Sequence, residues 1–192
     1  MTTTDTVTQA GLVNHFLIAT PQLQDSYFAH SLVYVWRHTD EGALGIVVNL
    51  PLKMQLAEIF SQLDMEDQRP SPAPQTVLSG GPVETDKGFI VHDAPNQWLS
   101  TIEVSDDIRI TTSRDILSDI SQARGPENYL VALGCAGWDS GQLEQEIAAN
   151  AWLTCPARKD ILFSTDFAHK PELAVATLGF DMAQLAPTAS SC

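Results

Sequence analysis

Cysteine is scarce in this chain: Cys135, Cys155 and Cys192 are an odd number with no CxxC spacing. That usage fits free thiols in a reducing compartment rather than a disulfide framework or a zinc site. His15, His30, His38, His92 and His169 form no HExxH or HxH pair, so a metal site would have to be assembled wholly by the fold. Basic residues are few as well, with 10 Lys and Arg against 24 Asp and Glu and a formal charge of −14. Only Arg158 and Lys159 are adjacent, so no basic patch relieves a field that repels phosphate backbones and anionic lipid surfaces. This argues against direct nucleic-acid binding and favours solubility. Long apolar runs are missing too: the longest, Tyr129 to Trp138, falls short of the ~18 residues a membrane-spanning helix needs. The Thr-rich start, Met1 to Gly11, lacks the basic and apolar regions of a signal peptide. The expectation is a soluble, cytoplasmic protein without a membrane segment. No GxxxxGKS/T, GxGxxG or GxSxG motif occurs, and Gly137-Trp138-Asp139-Ser140-Gly141 is not a nucleophile elbow. Neither a cofactor nor a metal is implied.

The 192 residues, 44% of them hydrophobic, suit one globular domain. Short apolar or β-branched runs predict strands at His15–Ala19, Leu32–Trp36 and Ala43–Val48, with Glu41-Gly42 turning the second into the third. Leu52, Leu56, Ile59, Phe60 and Leu63 recur at helical spacing, predicting a helix over Lys53–Leu63 whose start Pro51 helps to define. Residues 64–75, with three prolines and four charges, read as an exposed, mobile loop. Strands follow at Thr76–Ser79, Gly88–His92, Thr101–Val104 and Ile108–Thr111, close enough together to favour antiparallel pairing. Thr112 and Asp115 have capping-box spacing for a second helix ending near Gly125-Pro126. Tyr129–Leu133 suits a central strand covered on both faces. Asp139 precedes a helix over Gly141–Ala151, with Gln142 at a capping position. A strand at Asp160–Ser164 and a helix at Pro171–Leu178 close the domain, and residues 1–11 and 186–192 read as frayed ends.

Several separated motifs agree in order and spacing with a known family. They are His15-Phe16-Leu17-Ile18-Ala19-Thr20-Pro21 with Leu23 and Asp25, Gly42-Ala43-Leu44-Gly45 leading to Val48-Asn49, and Gly80-Gly81-Pro82 followed by Gly88-Phe89-Ile90-Val91-His92. Further matches are Thr112-Ser113-Arg114-Asp115, Gly137-Trp138 with Gly141-Gln142-Leu143-Glu144, and Asn150-Ala151-Trp152-Leu153. From about His15 to Phe163 the chain resembles the AlgH/YqgE family. The resemblance implies a bacterial cytosolic protein of α+β fold, with a mixed, mainly antiparallel and partly barrel-like sheet flanked by helices. It carries over no established biochemical activity. The name AlgH is linked to a proposed regulatory role in alginate production, and such proteins are labelled transcriptional regulators. The acidity, and the lack of a helix-turn-helix with basic flanks, make indirect regulation the better expectation.

Candidate site residues cluster where strands are expected to meet helices. Asn49, Ser113, Trp138 and Gln142, with Glu144 nearby, are expected to line one pocket for a small ligand or protein partner. Trp138 would offer an apolar face with one donor, and Asn49 and Gln142 groups that donate and accept. The same Asn49 and Gln142 suit turn and helix-end capping. Cys135, expected between the end of the central strand and a helix start, is the alternative: a thiolate nucleophile or redox sensor with His92 or His15 as base. It serves equally as a small buried hydrophobe, and the family pattern carries an aromatic there. Gly80-Gly81-Pro82 reads either as a tight turn or as an anion-binding run of N–H groups. Cys155, in Thr154-Cys155-Pro156, is expected in a turn and structurally inert. A non-enzymatic binding protein is the leading reading, a Cys135 enzyme the second, and a direct transcriptional regulator the third.

Overall fold

The structure, a computed structural model, describes residues 11–24, 26–70, 75–95 and 98–179. Asp25, Cys192, loop residues 71–74 and most of the expected frayed ends lie outside the described residues. In chain order the elements are β1 (His15–Ala19), β2 (Leu32–Thr39), β3 (Gly42–Val47), β4 (Pro51–Gln55), α1 (Leu56–Gln62), β5 (Thr76–Ser79), β6 (Val83–His92), β7 (Thr101–Glu103) and β8 (Arg109–Thr111). Then come α2 (Arg114–Ser121), β9 (Tyr129–Asp139), α3 (Gln142–Ala148), β10 (Trp152–Pro156), α4 (Lys159–Leu162) and α5 (Lys170–Ala176). The class is α+β, and all strand pairs described below but one are antiparallel. Two compact units divide the chain: residues 50–136 form one, inserted between the two segments, 1–49 and 137–192, of the other.

In the discontinuous unit β1 is central, paired antiparallel with β2 on one edge and β10 on the other. Covering on both faces explains its unbroken apolar run: Phe16, Leu17 and Ile18 are fully buried. The β2–β3 hairpin forms as expected, but it turns at Asp40-Glu41 rather than Glu41-Gly42 because Gly42 already pairs with Thr39, and its register shifts between Val35 and Arg37, so Trp36 is an added bulge residue. Two expectations fail at the C-terminal end. Asp160–Ser164 is not a strand, because Lys159–Leu162 winds into α4 and buries Ile161 and Leu162. Thr154-Cys155-Pro156 is not a turn but lies in β10, where Cys155 pairs opposite Phe16. Lys170 explains how α4 and α5 are held. Its fully buried Nζ donates to Leu162 O at 2.8 Å, at the C-terminus of α4, and to Val48 O at 2.9 Å, just past β3. Leu162 ends α4, where the last carbonyls of a helix have no partner within it. Burial lowers the Lys170 pKa to about 7.

In the inserted unit Leu56, Phe60, Val77, Ile90, Ile116, Leu117, Ile120 and Val131 form one core cluster. The helix expected from Lys53 starts three residues later. Leu52 and Met54 alternate with exposed Pro51 and Lys53, and this stretch is β4, paired antiparallel with β5. Spacing of four between Leu52 and Leu56 satisfied both periods, and pairing with β5 decided between them. The carboxylate of Glu58 accepts the Gln55 N–H at the start of α1. Of the expected loop, Asp64–Pro70 is mostly exposed, but Met65 packs on the core and the Gln68 N–H donates to Ser121 O.

Helix α2 starts one residue later than the expected box. Ser113, not Thr112, is the N-cap, and Asp115 in the first turn accepts the N–H groups of Leu99 and Ile116. Helix α3 is shorter than expected, starting after Gly141 in the left-handed conformation (φ 75°) and ending at Ala148. Strand β9 runs through Asp139, well beyond Leu133, so its expected exit lies inside the strand. Antiparallel pairing holds for β6 with β8, β7 with β8 and β6 with β9, but not for β5, which pairs with β9 in parallel.

Leu133 pairs with Ser79 of β5 on one edge and with Gly88 of β6 on the other, so the chain crosses β9 between Ser79 and Val83. Backbone meets backbone there: a Cβ on Gly81 would lie 2.1 Å from the Cys135 carbonyl carbon, and one on Gly134 (φ +81°) would lie 2.4 Å from Gly81 O. Gly80-Gly81-Pro82 is therefore a strand crossing. Gly134→Ala is expected to destabilise the protein by about 3 kcal/mol, read as a lower denaturation midpoint with an unchanged slope. An unchanged midpoint would show that the crossing relaxes.

His92 is fully buried, with Nε2 2.8 Å from Thr111 Oγ1 and its ring edge-on to Trp98. Burial, reinforced by the Arg109 charge, lowers its pKa to about 4. Between pH values near 6.5 and 4 the unfolded chain binds a proton that the folded one refuses, so stability falls as pH drops through that window. His92→Gln is expected to remove on the order of 3 kcal/mol of this acid-side loss, measured by denaturant unfolding across pH.

Candidate functional site

The inserted unit holds a cavity of about 560 Å³. Its apolar wall comes from Ile59 and Leu63 on and after α1, Ile90 of β6, Leu117 of α2, and Val131 and Leu133 of β9. Most of its polar lining comes from two segments, Thr85, Asp86 and Lys87 in one and Thr112, Ser113 and Arg114 in the other. The first segment exists because β6 bulges: Val83 pairs with Cys135 and Gly88 with Leu133, so residues 84–87 stand opposite Gly134 alone. Glu84 takes a positive φ of 48° at the start of this excursion. The second segment is the entry to α2. There Ser113 Oγ accepts the Ser100 N–H and donates to Asp115. Burial raises the Asp115 carboxyl, but the donors Ser113, Leu99 and Ile116 outweigh it and hold its pKa below the usual carboxylate range.

Of the four residues expected to share a pocket, this cavity takes Ser113. Asn49 is a turn residue whose Oδ1 accepts the Leu32 N–H at 2.9 Å and whose Nδ2 donates to His30 O at 2.8 Å. Gln142 Oε1 accepts the Asp139 N–H at 2.9 Å, tying α3 to the strand before it. Trp138 is buried, stacked on Phe28 and edge-on to Trp152, and it bounds a shallow hollow of about 230 Å³ with Arg37, Thr39 and Glu41. Glu144 bonds to the buried ring of His38 through Nε2. Burial raises the Glu144 carboxyl, but this bond outweighs it and holds its pKa down.

Cys135 does not sit at a strand exit. It lies inside β9 opposite Val83, buried, and burial with the nearby Glu84 charge raises its pKa despite Lys87. His92 pairs opposite Tyr129, six residues along β9 and hence roughly 20 Å from Cys135. His15 Nδ1 bonds to Val13 O. Cys155 is buried too, with its pKa raised by burial against an opposing Thr177 hydrogen bond. Among the described residues no group of three or more His, Cys, Asp or Glu is placed to hold a metal, and no helix is long and apolar enough to cross a membrane.

The apolar wall escaped a reading of the sequence because its residues look like ordinary core. The polar lining did leave a signal: Glu84-Thr85-Asp86-Lys87 interrupts an otherwise apolar strand between Val83 and Gly88.

Comparison with known proteins decides the family. An AlgH-like sequence profile matches residues 16–183. The chain belongs to the AlgH-like family. It is 46% identical to a UPF0301 protein of Saccharophagus degradans over 93% of this chain and 87% of that one, and 43% identical to one of Photobacterium profundum over 91% and 95%. The solution structure of AlgH from Pseudomonas aeruginosa is 38% identical, superposes with a TM-score of 0.73 and covers 100% of both chains. A crystal structure of a Corynebacterium diphtheriae protein, 16% identical with a TM-score of 0.72 over 90% of each chain, shares the fold.

A thiol buried in a paired strand should react slowly. Iodoacetamide near neutral pH is expected to label Cys135 in the folded protein at least tenfold more slowly than in urea, read by peptide mass spectrometry. Equal rates would revive the nucleophile reading.

Proposed function

We propose that this AlgH-like protein is a non-enzymatic, cytoplasmic binding protein whose ligand is a small molecule held in the cavity of the inserted unit. The observation that carries this reading is the cavity itself. Its volume lies within the roughly 300–1,000 Å³ of small-molecule sites, its wall is apolar, and polar groups from two segments complete it, as such sites require. A buried Cys135 with a raised pKa favours binding over thiol chemistry. The net charge of −14 favours an indirect regulatory role over contact with nucleic acid. Asn49, Trp138 and Gln142 are then structural, with Ser113 the one sequence-derived candidate that faces the ligand.

The test is a thermal-shift screen against small metabolites, since a ligand of the native state raises the melting temperature by mass action. Val131→Phe, which fills the cavity from its floor, is expected to cost about 1–3 kcal/mol of stability and to abolish the shift produced by any hit. A hit that shifts this variant as much as the parent protein would place the binding elsewhere and overturn the assignment.

A further inference from the structure

The wall of the cavity calls for an apolar body, and the charges that line it define the head group. Most arginines of the described chain meet carboxylates: Arg69 binds Asp67, Arg109 reaches Glu103, Arg124 reaches Asp119 and Arg158 binds Asp160. Arg114 and Lys87 differ. Among the described residues neither forms an ion pair: Arg114 Nη2 lies 3.4 Å from the carbonyl of Leu63, and Lys87 Nζ stands 5.5 Å from the Phe89 ring centre. Both line the cavity, Lys87 from the β6 bulge and Arg114 from the start of α2, with Asp86 the one carboxylate among the lining residues. Among the lining residues two cations stand with one carboxylate, an excess of one positive charge beside an apolar chamber. Glu84, at the start of the bulge, and Asp115, held by Ser113, lie just outside the lining, in a protein whose formal charge is −14.

We infer that the cavity binds an amphipathic monoanion, a medium-chain carboxylate, with its hydrocarbon chain against Leu63, Leu117, Val131 and Leu133 and its head group between Lys87 and Arg114. The inference rests on the cavity being a ligand site and adds the chemical class. The acidic surface opposes anions at long range. At physiological salt, however, the Debye length of about 8 Å screens distant carboxylates, whereas charges in direct contact with the head group still act. Arg114 can meet a carboxylate with two parallel N–H groups, and Lys87 adds a point charge. Because both cations are exposed, their effect is modest, about threefold to fivefold in affinity for each.

The experiment compares octanoate, octanol and octylamine by calorimetric titration at physiological salt. Octanoate is expected to bind about tenfold more tightly than octanol, and octylamine more weakly than either. The double substitution Lys87→Gln/Arg114→Gln should bring octanoate down to the affinity of octanol while leaving octanol unchanged, and Val131→Phe should abolish both. Circular dichroism and melting curves establish that each variant is folded. Octanol binding as tightly as octanoate, or a double variant that keeps the preference, overturns the charge assignment while the cavity stands as an apolar site. Failure of all three probes to bind overturns the cavity reading and this inference with it. Octanoate binding that survives Val131→Phe removes this cavity as its site.

Discussion

A buried strand has to find partners for its backbone N–H and C=O groups along both edges, and β9 meets that demand with β5 in parallel on one side and β6 antiparallel on the other. Both partners come from one continuous stretch of chain, which must cross β9 within three residues, Gly80 to Pro82. That crossing presses backbone against backbone. Side chains at Gly81 or Gly134 would occupy space already held by carbonyl groups. The inserted unit is built outward from this contact. Helices α1 and α2 supply the apolar faces that cover the core of which Val131, on β9, is part.

The cavity is a consequence of the same crossing. Because Val83 is committed to Cys135 and Gly88 to Leu133, the four residues between them have only Gly134 opposite and are expelled from the ladder. A regular strand would have set those positions into the sheet. The bulge instead exposes Thr85, Asp86 and Lys87, which line the cavity together with the polar start of α2 and an apolar wall. Lys87 and Arg114 thereby stay exposed beside an apolar wall, and among the described residues neither is in an ion pair with a carboxylate. The thiol at Cys135 has the opposite fate: the pairing that forms the bulge holds it inside the strand, where burial favours the protonated form.

Much of the strand framework was legible because buried strands write themselves as unbroken β-branched and aliphatic runs. His15–Ala19 and Thr76–Ser79 agree with the structure to the residue, and the β2–β3 hairpin turns one residue before the expected Glu41-Gly42. The errors share a cause. Leu52 and Met54 fit a helical period with Leu56 as well as they fit alternation, and Ile161-Leu162 is as apolar as a short strand. In both places the partner that decides the matter, β5 for the first and the Lys170-capped α4–α5 corner for the second, is distant in sequence or invisible to periodicity. The candidate site was less legible. Ser113 lines the cavity, but Asn49 and Gln142 spend their polar atoms on neighbouring backbone groups, and Trp138 is absorbed into an aromatic cluster with Phe28 and Trp152.

By itself, the sequence determined the family, the α+β class, the acidic balance and most strand positions, since these follow from composition, local spacing and the order of short motifs. Tertiary structure alone decided that Gly80-Gly81-Pro82 crosses a strand, that residues 84–87 bulge from the ladder, and that Lys87 and Arg114 line one apolar cavity. The physical reason is that each of these depends on register. Which residue stands opposite which is set by hydrogen-bonded partners dozens of positions away, and a one-residue change in that pairing would move every side chain to the other face.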